Sequence, residues 1–289
     1  MHCYQRTING GLLFYNDLDH LVYFTTCCVT AEKYGIRILG LCQMPDHIHD
    51  SIIAGSLSQL AAFKRDVNSQ FARRQNEYCG LEGPVFEHPF GSAVKEGAKR
   101  ARTNLIYVGN NPVERQLVSK AEKYRWNYIA YAHSSHPFSD KIVKASKAMK
   151  RAMKEVDLCH ESHKPLHYGC MKRLYKSLTP KEEQQLTDYI ISTYNIINHK
   201  ATLEFFDGSY SNYLNALHSN TGAEHDINER FVGRSDECYN QIKKLLMNEY
   251  HLKDIHDIFK LDAVQLYNQI RQKTMVPRRQ ILKYLRLED

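Results

Sequence analysis

The sequence predicts an α+β fold: an antiparallel sheet with helices packed on it, followed by a mostly α-helical C-terminal region. Three observations carry this. Up to about residue 135, short β-rich runs and longer helical runs alternate as strand, helix, strand, strand, helix, strand, helix. Two of the β-rich runs, Ile36–Gln43 and Asp46–Ala54, are broken only by Met44-Pro45. Beyond about 140 the texture becomes helical. The expected division is a first domain over 1–135 and a helical region over 140–289.

Each element has its own signal. Segments 2–8 and 11–15 read as short strands around an Asn9-Gly10-Gly11 turn. Asp17–Tyr34 reads as a helix capped near Asn16 or Asp17 and rich in apolar positions. Ser58–Asn76 reads as a helix with Leu60, Phe63, Val67 and Phe71 on its buried stripe. Gly80–Pro89 is turn-rich, with a short strand at Pro84-Val85-Phe86. Ser92–Asn110 is the next helix, with Val94, Ala98, Ala101, Leu105 and Val108 buried and Pro112 ending it. Lys141–Val156 and Thr179–Asn198 follow as helices, the second opened by Thr179-Pro180. Residues 201–238 read as short helices and loops, and Ser235–Glu249 and the last thirty residues as helices.

Composition narrows the class. The 289 residues are 43% hydrophobic and 25% charged, which excludes wholesale disorder, collagen and coiled-coil arrays. No apolar run approaches the roughly 18 residues of a membrane span. The opening MHCYQRTINGG has no apolar core of a signal peptide, so a cytoplasmic protein with its eight cysteines as thiols is expected. Net charge is +7 and unevenly spread. Residues 95–154 hold 14 Lys/Arg against 4 Asp/Glu, while 201–238 hold 2 against 7. A segment more basic than the whole chain fits a phosphate-tracking surface, and a solvated helix face is the plain alternative.

Met44-Pro45-Asp46-His47-Ile48-His49 is the most informative stretch. On a strand His47 and His49 share one face and Ile48 takes the other. Two imidazoles on one face suit a divalent metal, and a third oxygen ligand widens the choice to Mg²⁺ or Mn²⁺. Asp50 falls on the opposite face, where a carboxylate in a core is costly unless it is paired.

The stretch resembles the HUH motif of single-tyrosine transposases, and within that group the REP-associated tyrosine transposases. Further motifs agree in order and spacing over about residues 1–132. His2-Cys3-Tyr4-Gln5-Arg6 and Leu13-Phe14-Tyr15-Asn16-Asp17 resemble the family's opening, and Leu57–Asn76 its helix after the HUH strand. Gly83-Pro84-Val85-Phe86-Glu87-His88-Pro89-Phe90 resembles its glycine–apolar–Phe segment. Tyr107-Val108-Gly109-Asn110-Asn111-Pro112-Val113 resembles its Tyr-x-x-x-Asn-Pro-Val signature, and Tyr124-Arg125-Trp126-Asn127 its Tyr-x-Trp-Ser.

The resemblance implies a ferredoxin-like HUH domain that cuts and joins single-stranded DNA beside a hairpin. It assigns Tyr107 as the nucleophile forming a 5′-phosphotyrosine, and His47, His49 and Asn111 as ligands of Mg²⁺ or Mn²⁺. The residue chemistry agrees: a cation on a non-bridging oxygen offsets phosphodiester charge, and a phenol can form the covalent link. Tyr107 and Asn111 are four apart, which brings them together on a helix, although Pro112 disfavours helical dihedrals at Asn111. Arg100, Arg102, Lys120, Lys123 and Arg125 are expected on DNA phosphates. Tyr128 and Tyr131 are read either as base-stacking rings or as core. The helical extension is expected to grip DNA beside the cut, in a monomer or homodimer associated with the nucleoid. The alternatives are a self-mobilising insertion-sequence transposase of the same chemistry and a non-catalytic hairpin-binding protein.

Other signals are weaker. Cys159, His160, His163, His167 and Cys170 are dense enough to suggest zinc, but lack the usual paired spacing and read better as a polar loop. Val276–Leu287 resembles the first helix of a helix-turn-helix, read as a basic DNA-contacting helix or as packing. The acidic Thr221–Asp226 stretch suggests no role.

Overall fold

The computed structural model describes residues 1–87, 89–219 and 235–288. Its sheet has four antiparallel strands, β1 (His2–Arg6), β2 (Arg37–Met44), β3 (His47–Ile53) and β4 (Gly91–Ala93), in the order β2-β3-β1-β4. Three helices separate or follow these strands: α1 (Asp17–Tyr34), α2 (Leu57–Cys79) and α3 (Ala98–Glu114). Helix α1 opens on a capping box, with Asn16 accepting from Asp19 and the Asp19 side chain returning to Asn16. It closes on Gly35 in the left-handed region.

Strand alternation sorts the sheet into two faces. Ile48, Asp50 and Ile52 of β3 face α1 and α2, where Lys64 of α2 forms a buried ion pair with Asp50. That pair answers the cost expected of a carboxylate on the core face. His47, His49 and Ser51 face α3, whose Asn104 donates to the Ser51 hydroxyl at 3.0 Å.

The helical region consists of α4 (Lys147–Glu161), α5 (Tyr168–Tyr175), α6 (Pro180–Tyr194), α7 (His199–Glu204), α8 (Tyr210–Ser219), α9 (Ser235–Glu249), α10 (Ala263–Lys273) and α11 (Arg278–Leu285). Helix α1 is buried on nearly every side because α6 covers the side away from the sheet, with α4 and α5 beyond. One apolar core therefore runs from Leu21 and Phe63 to Val156 and Ile190, across the expected boundary near 135–140. Helices α9–α11 share a second cluster with Leu12 and Tyr15, and α7 and α8 pack on Leu105 and Ile106 of α3. No helix among the described residues is long and apolar enough to cross a membrane.

Several boundaries differ from the sequence reading. Residues 11–15 are not a strand: Leu13 and Phe14 both donate to the Pro45 carbonyl, so the segment is a buried loop. Phe86 makes only a single bridge to Thr7, and the fourth strand is Gly91–Ala93. Gly97, with φ of 80°, delays α3 to Ala98, and Val94 and Ala98 are exposed rather than buried. Pro112 does not end α3, which runs on to Glu114; in the last turn it forfeits only one helical N–H bond. Helix α4 starts at Lys147, where Ser146 caps it. His88 and the Thr221–Asp226 stretch lie outside the described residues.

Candidate metal and tyrosine centre

The centre is built from one strand and one helix. Strand β3 presents His47 and His49 two residues apart on the α3 face, and α3 presents Tyr107 and Asn111 one turn apart. The Asn111 Oδ1 lies 3.4 Å from the His47 Nε2. The Tyr107 ring meets the His49 ring edge-on at 5.3 Å between centroids, and the two imidazoles are 4.8 Å apart. The four side chains picked out in the sequence therefore converge.

Each imidazole is held through its Nδ1. His47 Nδ1 lies 2.6 Å from the Asp46 carboxylate, and His49 Nδ1 lies 3.1 Å from the His2 Nε2. This leaves Nε2 of His47 toward Asn111, and Nε2 of His49 buried without a hydrogen-bond partner among the described residues. A ring fixed through one nitrogen with the other bare is the arrangement of a metal-ligating histidine and its supporting partner.

The electrostatics keep the His49 ring suited to that role. Burial, together with His47, His2, Arg115 and Arg6, pushes the His49 pKa well below the usual histidine value, so its ring is neutral. Burial alone would raise Asp46, but His47, Lys283 and Arg115 hold its carboxyl well below the usual carboxylate range. An ionised Asp46 fixes the proton of His47 on Nδ1. Lys283 of α11 donates to Asp46 at 3.1 Å, so the last helix packs behind the centre.

Among the described residues no three His, Cys, Asp or Glu side chains group so as to hold a metal ion, so a cation here takes two imidazoles and an amide oxygen. His47, His49, Tyr107 and Asn111 are all buried, at 5%, 1%, 4% and 2% exposure, so the centre is closed.

Compared with protein-family models, curated proteins and solved structures, the chain matches none.

The remaining residues singled out in the sequence divide clearly. Arg100, Lys120 and Lys123 are exposed, as is Arg102, whose guanidinium lies over the Phe206 ring. Arg125 is engaged within the protein, bonded to Gln184 and paired with Asp188, and is not presented to a phosphate. Tyr128 is wholly buried against Phe24, and Tyr131 donates to Asp188, so both belong to the packing. The basic run 141–154 lies around α4, behind α1 and α6 and across the sheet from His47, not beside the centre. In the Cys/His cluster, His167 caps α5, Cys170 Sγ contacts Glu155, and His163 pairs with Glu32, so its members turn to different partners. Helix α11 packs in the second core rather than standing free.

Sequence reasoning missed His2, Asp46 and Lys283. For His2 the sequence showed only strand alternation with Tyr4 and Arg6, and what brings it to His49 is the register of β1 against β3. Lys283 had no signal, because its partner is 237 residues away.

Proposed function

We propose that this chain is a metal-dependent tyrosine nuclease and strand transferase of the REP-associated HUH type, acting on hairpin-associated single-stranded DNA. The observation that carries the reading is the convergence of His47, His49 and Asn111 beside Tyr107, with each imidazole oriented through Nδ1. The strand order β2-β3-β1-β4, with α1 and α2 as connections, agrees with a ferredoxin-like β-α-β-β-α-β plan.

The donor set fits a divalent cation, because the His49 Nε2 would otherwise be a buried nitrogen lacking a partner. His47, His49 and Asn111 would hold Mg²⁺ or Mn²⁺, which when bound offsets phosphate charge and orients the scissile group. The Tyr107 hydroxyl attacks phosphorus and loses its proton. An O–P bond forms to the phenol as the bond to the 3′ oxygen breaks, and that oxygen leaves as a hydroxyl after taking up a proton. The free 3′-OH reverses the step when it attacks the phosphotyrosine. The closed phenol requires the ring to rotate outward, or α3 to shift, before a phosphate reaches it.

A labelled hairpin oligonucleotide incubated with the protein and Mn²⁺, then denatured, tests the reading. A labelled protein band is expected, lost in Tyr107→Phe. A band that survives that substitution removes Tyr107 as nucleophile. The double variant His47→Ala with His49→Ala should abolish metal-dependent cleavage while leaving DNA binding.

The burial of Tyr107 favours one second reading, a hairpin-binding protein without catalysis. That reading predicts hairpin binding with no covalent band under any metal. Light scattering separates a monomer from a homodimer able to exchange tyrosines.

A further inference from the structure

We propose that the cleft between the start of α1, the Met44–Asp46 turn and α9 receives one unpaired nucleobase of the strand engaged at the centre. The proposal rests on the nuclease reading only for the source of that base. The cleft has a volume of about 190 Å³. That is below the roughly 300–1,000 Å³ of a site for a drug-sized molecule, so its occupant is a single small ring system.

Its walls are flat rings. The His20 imidazole is sandwiched between Phe14 and Trp126, each 4.2 Å away and nearly parallel. Tyr124 lines the same cleft and is tied to the end of β2 by its bond to the Gln43 carbonyl. That stack is closed on itself, so the ring that meets a base is the half-buried Tyr124, and stacking on it is tolerant of sequence because every base has a π face.

Its polar groups are placed to read a base edge. His20 Nδ1 donates to the Gln43 side-chain oxygen at 2.8 Å, which leaves Nε2 as an acceptor. Burial lowers the His20 pKa to about 3, so the ring stays neutral and stacks without charge. From α9 the cleft gains the Asn240 amide and the Lys243 ammonium, which donates to the Tyr15 carbonyl. Tyr284 also lines it, and its buried hydroxyl has no hydrogen-bond partner among the described residues. The exposed Asn240 amide offers a donor and an acceptor to a base edge.

The position links cleft and centre. Pro45 forms part of the wall and His47 is two residues further on, at most about 7 Å between Cα atoms. The His47 side chain points to the α3 face, so the cleft and the centre are joined through Tyr124, which lines the cleft and packs on the cluster of Met44 and Tyr107, and the base bound belongs to a neighbour of the scissile nucleotide.

Trp126 is the only tryptophan in the chain and lies in the cleft, so its emission reports occupancy. Full-length Tyr107→Phe protein, which cannot form the covalent link, is titrated without metal. The probes are a short mixed-sequence single-stranded oligonucleotide, the same backbone with abasic sites throughout, and nucleoside monophosphates. Quenching by the base-bearing strand is expected, with the abasic strand at least tenfold weaker. Asn240→Leu should weaken the base-bearing strand and leave the abasic strand unchanged. Equal quenching by both strands overturns the proposal. Monophosphates as tight as the strand would assign the cleft to a free nucleotide and overturn the strand assignment. A covalent band from the wild-type protein without base-dependent quenching defeats the cleft and leaves the nuclease reading standing. Base-dependent quenching by a protein that never forms the band does the reverse.

Discussion

Lys283 of the last helix donates a 3.1 Å hydrogen bond to Asp46, and the same carboxylate holds the Nδ1 of His47 at 2.6 Å. The two contacts form a relay from α11 to the face of β3. Helix α11 is further tied to the N-terminal segment, since Leu12 donates to the Lys283 carbonyl and Arg286 donates to the Leu12 carbonyl. The C-terminal segment is thus part of the support of the centre.

On the nuclease reading proposed above, removing that support should loosen metal binding more than DNA binding. Lys283→Met leaves Asp46 with one cationic neighbour fewer and the His47 ring less firmly held. Partners of this kind typically contribute about 10–100-fold to metal affinity. The Mn²⁺ concentration for half-maximal covalent adduct should rise by about tenfold, with hairpin affinity changed by less than about threefold. An unchanged Mn²⁺ requirement would show that the relay does not reach the centre.

The buried Asp50–Lys64 pair gives a second test. It lies between β3 and α2 with both side chains essentially inaccessible. Burial works against the Lys64 charge, but Asp50 holds its pKa above the usual lysine value. Lys64→Met alone strands a buried carboxylate and should cost about 3–5 kcal/mol in urea denaturation. Asp50→Leu in the same chain should recover most of that loss, because an apolar pair of similar volume is often neutral there. A double variant as unstable as the single one would mean that the site cannot repack.

The legibility of the molecule follows the range of its interactions. Helix α2 was legible because Leu60, Phe63, Val67 and Phe71 recur at helical spacing, and all four are fully buried. His47 and His49 were legible because strand parity alone puts them on one face. His2 was not, because its place beside His49 depends on the register between β1 and β3. Residues 11–15 look like a strand in their apolar content, yet the amides of Leu12, Leu13 and Phe14 are satisfied by Lys283 and Pro45 carbonyls from distant segments. The lysine that pairs Asp50 was visible only as one of many, since nothing local marks Lys64 for burial. Tyr128 and Tyr131 illustrate the same limit, being aromatic positions whose exposure is decided by α1 and α6.

Gly109 shows the closeness of α8 to the helix that carries Tyr107. A Cβ at Gly109 would lie 2.8 Å from Leu217 Cδ2 and 2.9 Å from Ile129 Cδ1. Helix propensity favours Gly109→Ala by about 1 kcal/mol. Overpacking opposes it by about 1–3 kcal/mol, because both neighbours are themselves buried. The net expectation is a protein destabilised by about 1 kcal/mol, with adduct formation reduced as α3 is displaced. A more stable Gly109→Ala protein in urea denaturation would show that the neighbours yield without strain.

His256 should make stability fall on the alkaline side. It lies in the 3₁₀ turn Ile255–Lys260, with Nε2 at 3.0 Å from Asp19 of α1 and Nδ1 at 2.8 Å from Asp254. Burial alone would lower its pKa, but the two carboxylates raise it to about 9. The other groups facing it are the Tyr15 ring, the phenols of Tyr78 and Tyr168, bonded to Asp254 and Asp19, and Lys172, paired with Asp254. Burial holds both phenols above their usual range, so they do not titrate in this window. A group whose pKa is raised on folding contributes fully below its unfolded value, here about 6.5, and loses that contribution as pH rises through about 9. The clamp joins α1 and α2 to the segment before α10, and its contribution is on the order of a few kcal/mol. Urea midpoints of the wild type should decline steadily from about pH 7 to pH 9. His256→Gln should be less stable at pH 6.5 and flat across that window. A wild-type midpoint that stays level to pH 9 would show that the imidazolium is not held between the two carboxylates.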